Sequence, residues 1–411
     1  MTETTYLQFE GLDSPVALEN ATELLPMIDD VLRLWPHRSA TTAQGQPFVT
    51  IKPGEGKNWS LELPETQSPS RKWNAVNAIC DLVAEMAWER IRSEPALLCL
   101  HAAAVEFSAR LVIFPNVRRA GKSTLTAALA RLGHRIYTDD FLPVRLDEDS
   151  QTFEGIANGV LPRIRLPLPD SFSDSFHTWV NDDPGPSNRQ YKYLQSALIA
   201  PGPETMPLGA MVMLDRRDDP IAPSLAPMPR ADALTNLILQ NFARTQLSSA
   251  ILTSMDALSR HMPVFRLTYH CGEEAAAFLA AHPDLATLPA AKAGDVSRKT
   301  APAPLEKREQ PAPSFERSSQ YVQASGLTEM LVGEDHFLTD GDGLAIYRLN
   351  AGSVAIWRVL AEPTDLDEVI DLLSTAFHDV PASQIAADSE DLMRNLAAAR
   401  LIVPRKLAKA S

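Results

Sequence analysis

Short apolar runs broken by Gly, Pro and Asn open the chain, and TYLQF, PFVTI and WSLELP each read as a strand. Near Trp73 to Ser93 the period changes. Val76, Ile79, Cys80, Val83, Met86 and Ala87 recur at helical spacing, which predicts an amphipathic helix. From Ala96 onward apolar strands alternate with helices in LLCLHAAAVEF, RLVIFP, STLTAALARL and HRIYTDD. That alternation predicts an α/β core with a central sheet. The helix after RLVIFP carries Leu125, Leu129 and Leu132 on one stripe, with Gly133 as its C-cap.

The stretch Leu288 to Arg317, containing KTAPAPLEKREQPAP, buries too little apolar surface to offset its ordering entropy, and reads as an exposed linker. Beyond it, HFLTD and AIYRLN read as strands. Helices are expected over SVAIWRVLA, Thr364 to Phe377 and Ala382 to Ala399, with Thr364 and Asp365 as caps of the middle one. The expected organisation is an N-terminal α+β region over 1–95, an α/β domain over 96–287, a linker over 288–320 and a small α+β domain over 321–405. No internal repeat is visible.

Composition narrows the class. The 411 residues are 45% hydrophobic and 22% charged, as in globular proteins. No apolar run approaches the length of a membrane span, and the first residues lack the basic-then-apolar pattern of a secretion signal. Three dispersed cysteines (Cys80, Cys99, Cys271) argue against a disulfide framework or a Cys-based zinc site. A net charge of -14 argues against a general nucleic-acid binder. A cytoplasmic multidomain protein is the expectation.

The strongest motif runs from Phe114 to Thr124: an apolar strand, a loop of Asn116, Val117, Arg118, Arg119 and Ala120, then Gly121, Lys122, Ser123 and Thr124 opening a helix. This is the context of a phosphate-binding loop. Amide N–H groups at a helix start surround phosphate oxygens, the lysine reaches the β and γ phosphates, and the serine hydroxyl ligates Mg²⁺. Asn116 stands where the full motif has Gly; Asn is the side chain that best tolerates positive φ. An ordinary basic turn capping a helix is the competing reading.

His101 lies 21 residues before Lys122, and Asp139 and Asp140 lie 17 and 18 after it. With parallel neighbouring strands, the end of HRIYT opens on the same edge as the loop. One carboxylate can hold Mg²⁺ while the other takes a proton from an attacking hydroxyl. Asp215 to Asp219 reads as a solvated turn, Asn236 to Ala243 as part of a helix packed on the sheet, and His261 and His270 as structural residues bracketing a strand.

The string LHAAAVEFSARLVIFPNVRRAGKSTLTAALARLGHRIYTDD resembles the HPr kinase/phosphorylase family. The resemblance extends over about Ala96 to Leu285, with its specific residues confined to 101–140. It implies a P-loop kinase core that uses ATP and Mg²⁺. It further implies His101 poising the catalytic carboxylate, Lys122 on nucleotide, Ser123 and Asp140 on the metal, and Asp139 as general base. Ring-shaped homo-oligomers are known in that family. The chain departs from it where a metal-holding Glu and Gly-rich sequence are replaced by Leu161 to Pro167. There Arg163 and Arg165 either steady phosphate charge or are surface residues of an edge strand.

The C-terminal string IYRLNAGSVAIWRVLAEPTDLDEVIDLLSTAF, with DLMRNLAAARLIV, resembles the PqqD-like peptide-recognition family through Leu349, Asn350, Ala355, Trp357, Thr364, Leu396 and Leu401. A generic winged helix is the alternative. The resemblance implies binding of the leader of a ribosomally made precursor peptide by β-augmentation. The acidic segment Ala386 to Asp391 favours a peptide over a nucleic acid. Together the two resemblances imply an α/β chain in which a kinase core of the HPr kinase type, with an N-terminal α+β extension, is fused to a winged-helix-like α+β domain. Its expected activity is phosphorylation of a Ser, Thr or Tyr hydroxyl on a recruited peptide. A non-catalytic nucleotide-gated scaffold and a kinase of a small molecule or carrier protein are the alternatives.

Overall fold

The structure is a computed structural model describing residues 3–56, 58–64, 71–115, 120–242, 247–292, 314–340 and 345–405. The chain forms two compact units: Met1–Thr245 with Ser254–Ala301, and Gln246–Thr253 with Pro302–Ser411.

In the first unit, β1 (Thr4–Phe9), β2 (Val16–Glu19), β3 (His37–Ala40), β4 (Val49–Pro53), β5 (Trp59–Glu62) and β6 (Arg71–Trp73) make one sheet ordered β3-β1-β2-β4-β5-β6. Helix α1 is Leu25–Val31 and α2 is Ala75–Ser93. Asn74 starts α2 by accepting the Asn77 amide on its side chain at 3.1 Å. The stripe foreseen from the sequence, Val76, Ile79, Val83 and Met86, is buried. These residues join a single hydrophobic core with residues from both sheets of the unit, including Leu7, Phe114 and Phe265. Position 95 therefore divides two sheets within one compact body.

The second sheet holds β7 (Leu98–Leu100), β8 (Ala102–Phe107), β9 (Arg110–Pro115), β10 (Ile136–Thr138), β11 (Leu142–Asp147) and β12 (Thr152–Ile156). A separate two-stranded ribbon pairs β13 (Arg163–Arg165) with β14 (Tyr191–Tyr193). The long strand β15 (Thr205–Arg216) joins the second sheet, as do β16 (Ser224–Pro227) and β17 (Val264–Tyr269). The helices here are α3 (Lys122–Arg131), α4 (Asp174–Asp182), α5 (Arg230–Gln240), α6 (Ser248–His261), α7 (Gly272–Ala280) and α8 (Pro283–Ala286).

Strand directions fix where chemistry collects. β9, β15 and β17 are parallel neighbours, so they end on one edge of the sheet. β8 runs antiparallel to β9 and β10 antiparallel to β8. The sequence-based expectation of parallel neighbours for β10 is corrected: β8 intervenes, yet β10 points the same way as β9. The start of β8 and the ends of β9, β10, β15 and β17 thus share an edge.

Three further boundaries differ from the sequence reading. Leu132 lies just past α3 and is exposed, while Leu125 and Leu129 are buried. Gly133, at φ +88°, does end the helix in the left-handed conformation. α5 stops at Gln240, because Phe242 donates its amide to the Cys99 carbonyl at 3.0 Å and Asn241 bridges to Leu100. Finally, residues 288–292 are not exposed linker. Ala291 is buried, donating to the Leu208 carbonyl and accepting from Phe153. At the other end of the expected linker, Phe315 packs on the second unit's core. Residues 293–313 lie outside the described residues.

The second unit contains β18 (Tyr321–Gln323), β19 (Thr328–Val332), β20 (Asp335–Thr339), β21 (Ile346–Leu349), α9 (Ala351–Val359), α10 (Leu366–Ala376), α11 (Ala382–Ala398) and β22 (Ile402–Pro404). β19, β20 and β21 form an antiparallel meander, and β18 pairs with β22. Local chemistry explains the helix starts. Asn350 accepts the Ser353 amide at 2.9 Å to cap α9, and Asp365 accepts the Glu368 amide at 3.0 Å to cap α10. Thr364 exchanges backbone hydrogen bonds with Tyr321. Trp357, Leu396 and Leu401 are buried in the unit's core.

Candidate functional site

The shared sheet edge brings together the described residues of the motif with His101, Asp139 and Asp140. Beyond β9, residues Asn116, Val117, Arg118 and Arg119 lie outside the described residues, and description resumes at Ala120. Gly121 sits at φ +96°, left-handed, immediately before α3. A Cβ there would stand 2.3 Å from the Tyr269 hydroxyl, so glycine is required twice over, by conformation and by space. Tyr269, at the end of β17, donates its hydroxyl to the Ala120 carbonyl at 3.2 Å. Thr124 donates its hydroxyl back to the Gly121 carbonyl at 2.8 Å. The start of the helix is therefore braced from two sides, with Lys122 only 7% exposed and Ser123 half-buried.

His101 precedes β8, anchored by its amide to the Gln240 carbonyl at 2.8 Å. Its Nε2 lies 3.1 Å from Oδ1 of Asp140, which follows β10. The Arg163 guanidinium, on β13, lies 3.6 Å from the other oxygen of Asp140 and 4.7 Å from the centre of the Tyr191 ring. Arg165 lies over the same ring and donates to the Tyr191 hydroxyl at 3.4 Å. A cavity of about 990 Å³ opens on this edge. Its lining includes His101, Gly121, Lys122, Ser123, Asp140, Arg163 and Arg165.

The two aspartates differ sharply. Asp139 is 8% exposed, accepts the Arg163 amide at 2.9 Å and is absent from the cavity lining. Burial pushes its carboxyl up to about 6, against the opposing pull of Arg163. The Asp140 side chain is 43% exposed and faces the cavity. Burial works to raise Asp140 as well, but the His101 hydrogen bond and the Arg163 charge outweigh it and hold the carboxyl below its ordinary value. Asp140 is thus the accessible member of the pair and the stronger acid.

The sequence reading missed several lining residues. Arg216, read as part of a solvated turn, ends β15 on the cavity wall. Gln240, Asn241 and Phe242, read as packing residues of a helix, line it too. So does one face of α2, including Asn77, Cys80, Asp81, Ala84 and Trp88. The stripe signal that located α2 marked its core face, of which only Cys80 and Ala87 reach the cavity. His270 stays outside this set, its Nδ1 donating to the Arg217 carbonyl at 3.1 Å.

The Ser123 hydroxyl on the cavity wall is a hard-oxygen donor of the kind magnesium takes. Among the described residues there is no cluster of three or more His, Cys, Asp or Glu that could hold a metal ion. No helix there is long and apolar enough to cross a membrane.

Known proteins compare as follows. No curated protein matches the chain. The structure of TbiB1 in complex with the TbiA(beta) leader peptide is similar at 19% identity and a TM-score of 0.19, covering 21% of this chain and 99% of that one. The HPr(Ser) kinase/phosphatase from Coxiella burnetii is similar at 13% identity and a TM-score of 0.22, covering 42% of this chain and 85% of that one. The family model described as coenzyme PQQ synthesis protein D (PqqD) matches residues 335–402, from β20 to the start of β22. Within an otherwise longer chain, residues 335–402 are a PqqD domain.

Proposed function

We propose that the first unit is an ATP- and Mg²⁺-dependent kinase, and that its acceptor is a Ser, Thr or Tyr hydroxyl of a ribosomally made precursor peptide recruited by the PqqD domain. The observation that carries this reading is the convergence, on one sheet edge, of Lys122 and Ser123 behind a left-handed Gly121 with the His101–Asp140 pair.

In this reading the amides of the first turn of α3 and Lys122 hold the phosphates, with Arg163, Arg165 and Arg216 adding positive charge along the cavity. Ser123 would hold magnesium, which when bound neutralises charge on the β and γ phosphate oxygens. Geometry takes precedence over intrinsic basicity in choosing a general base. Asp140 faces the cavity and Asp139 does not, so Asp140 receives the acceptor hydroxyl's proton, and His101 orients it. The hydroxyl oxygen forms a bond to the γ phosphorus as the bond from that phosphorus to the bridging oxygen of ADP breaks. The products are a phosphopeptide and ADP. Asp139 then serves as a positioning residue, fixing the backbone of Arg163. This moves the proton to Asp140 from Asp139, where the sequence reading put it, and leaves neither aspartate as the metal ligand that reading made of Asp140.

The PqqD domain supplies the acceptor. β19 and β21 each pair only with β20 among the described residues, leaving meander edges to which a peptide strand can add. Tethering raises the acceptor's effective concentration at a weakly binding catalytic site. The test is transfer of labelled γ-phosphoryl from ATP to a precursor peptide by the full chain. Label on the peptide hydroxyl supports the reading; nucleotide binding with no transfer to any peptide contradicts it.

A further inference from the structure

The cavity wall supplied by α2 has no part in the account so far. Asn77, Asp81, Ala84 and Trp88 recur at helical spacing on a face distinct from the core stripe, and all four line the cavity. The side chain at 84 is a methyl, which leaves an open floor between Asp81 and Trp88. Trp88 is 40% exposed, and its ring meets Phe242 edge-on at 5.3 Å between centroids. Leu239, also on the wall, is 67% exposed. This apolar end connects to the catalytic carboxylate through named contacts. Asp140 pairs with His101, His101 is bonded to Gln240, and Phe242, two residues on, packs on Trp88.

Charge sorts the cavity into two parts. Its cations are Lys122, Arg163, Arg165 and Arg216, whereas the α2 residues lining it include no base and one acid, Asp81. A polyphosphate is drawn to the first group and not to the second. Large apolar side chains held open to solvent beside a polar site mark a place where a ligand is read.

We infer that this α2 wall is the acceptor subsite. It binds the segment of the peptide that carries the hydroxyl, and Trp88, Phe242 and Leu239 take an apolar or aromatic side chain beside that hydroxyl. The inference rests on the kinase reading above and deepens it. The N-terminal region, which the sequence suggested only as a fold-completing or dimerising layer, then sets substrate specificity. Asp81, whose carboxylate is oriented by a 2.8 Å hydrogen bond from the Trp73 indole, disfavours acidic residues at the neighbouring position.

The test uses a library of serine-centred octapeptides, in which one neighbour at a time is fixed, with the full chain, Mg²⁺ and labelled ATP. The native chain should favour Phe, Leu, Ile or Trp at one position by about tenfold over Ser or Asp. Trp88→Ala and, separately, Leu239→Ser should flatten that preference while the calorimetric affinity for Mg²⁺-ATP stays as in the native chain. Neither side chain belongs to the hydrophobic core of this unit, so the fold tolerates either change. Three outcomes overturn the inference: a native chain that transfers to all octapeptides alike, a preference that survives both substitutions, or a Trp88→Ala chain with weakened ATP affinity. The last would give Trp88 to the nucleobase. A native chain that binds no nucleotide overturns the kinase reading and the inference with it, and that result is separate from the other three.

Discussion

His101 and Asp140 meet at 3.1 Å across the mouth of the sheet edge, although 39 residues separate them in sequence and they flank strands running in opposite directions. That contact makes Asp140 the carboxylate to test. Asp140→Asn should reduce phosphoryl transfer by about 10² to 10⁴ while leaving Mg²⁺-ATP affinity unchanged. His101→Ala, which removes only the orienting partner, should cost less, about 10- to 100-fold. Single-turnover transfer and calorimetry on the same preparations check both. Lost ATP affinity in Asp140→Asn would instead make Asp140 the metal ligand.

Asp139 carries a different prediction, about stability and pH. Its carboxyl is raised from an ordinary value near 3.8 to about 6 in the folded chain by burial. The folded state therefore holds this proton more tightly than the unfolded state. The penalty of burying the charge is absent below pH 4, grows as pH rises through 6, and is complete above it. Asp139→Asn removes that charge and keeps an oxygen for the Arg163 amide. It should stabilise the chain at pH 8 by about 1 to 3 kcal/mol, and the gain should vanish near pH 4. Thermal unfolding at the two pH values measures it, and Asp139→Asn should still transfer phosphate.

Gly121 offers a test of the loop's geometry. Gly121→Ala places a methyl in a left-handed conformation and 2.3 Å from the Tyr269 hydroxyl. The cost should be roughly 1 to 3 kcal/mol, together with weaker nucleotide binding. Tyr269→Phe removes the clashing oxygen, so the double variant should recover part of the loss. Strict additivity of the two single effects would show that the two residues do not meet as described.

The PqqD domain predicts competition. The isolated leader half of a precursor, added in excess, should slow transfer to the whole precursor and leave transfer to a short acceptor peptide untouched. Equal inhibition of both substrates would place the leader at the catalytic cavity instead.

Much of this was legible from the residues. The strand before Gly121, the helix after it and the spacing to Asp139 and Asp140 follow from apolar periodicity and a short motif. The cap at Asp365 follows from the preference of side-chain oxygens for helix starts. What was not legible depended on direction. Which aspartate faces the cavity goes with partners distant in sequence, the Arg163 amide for Asp139 and His101 for Asp140, and neighbouring identical residues carry no sign of it. Arg216 lies in a charged string that reads as a solvated turn, and only the parallel pairing of β15 with β9 brings it to the site. The second face of α2 is polar and small apart from Trp88, which in sequence looks the same as a face turned to solvent. Ala291 sits in a low-complexity stretch and is held by two backbone hydrogen bonds that no side-chain pattern encodes.

On the proposed function, the edge where β9 meets α3 holds a nucleotide. Calorimetric titration of Mg²⁺-ATP into the native chain and into Lys122→Ala measures this. Saturable, Mg²⁺-dependent binding to the native chain that is lost in Lys122→Ala is expected. Absence of binding to the native chain, or equal binding to both, would contradict it.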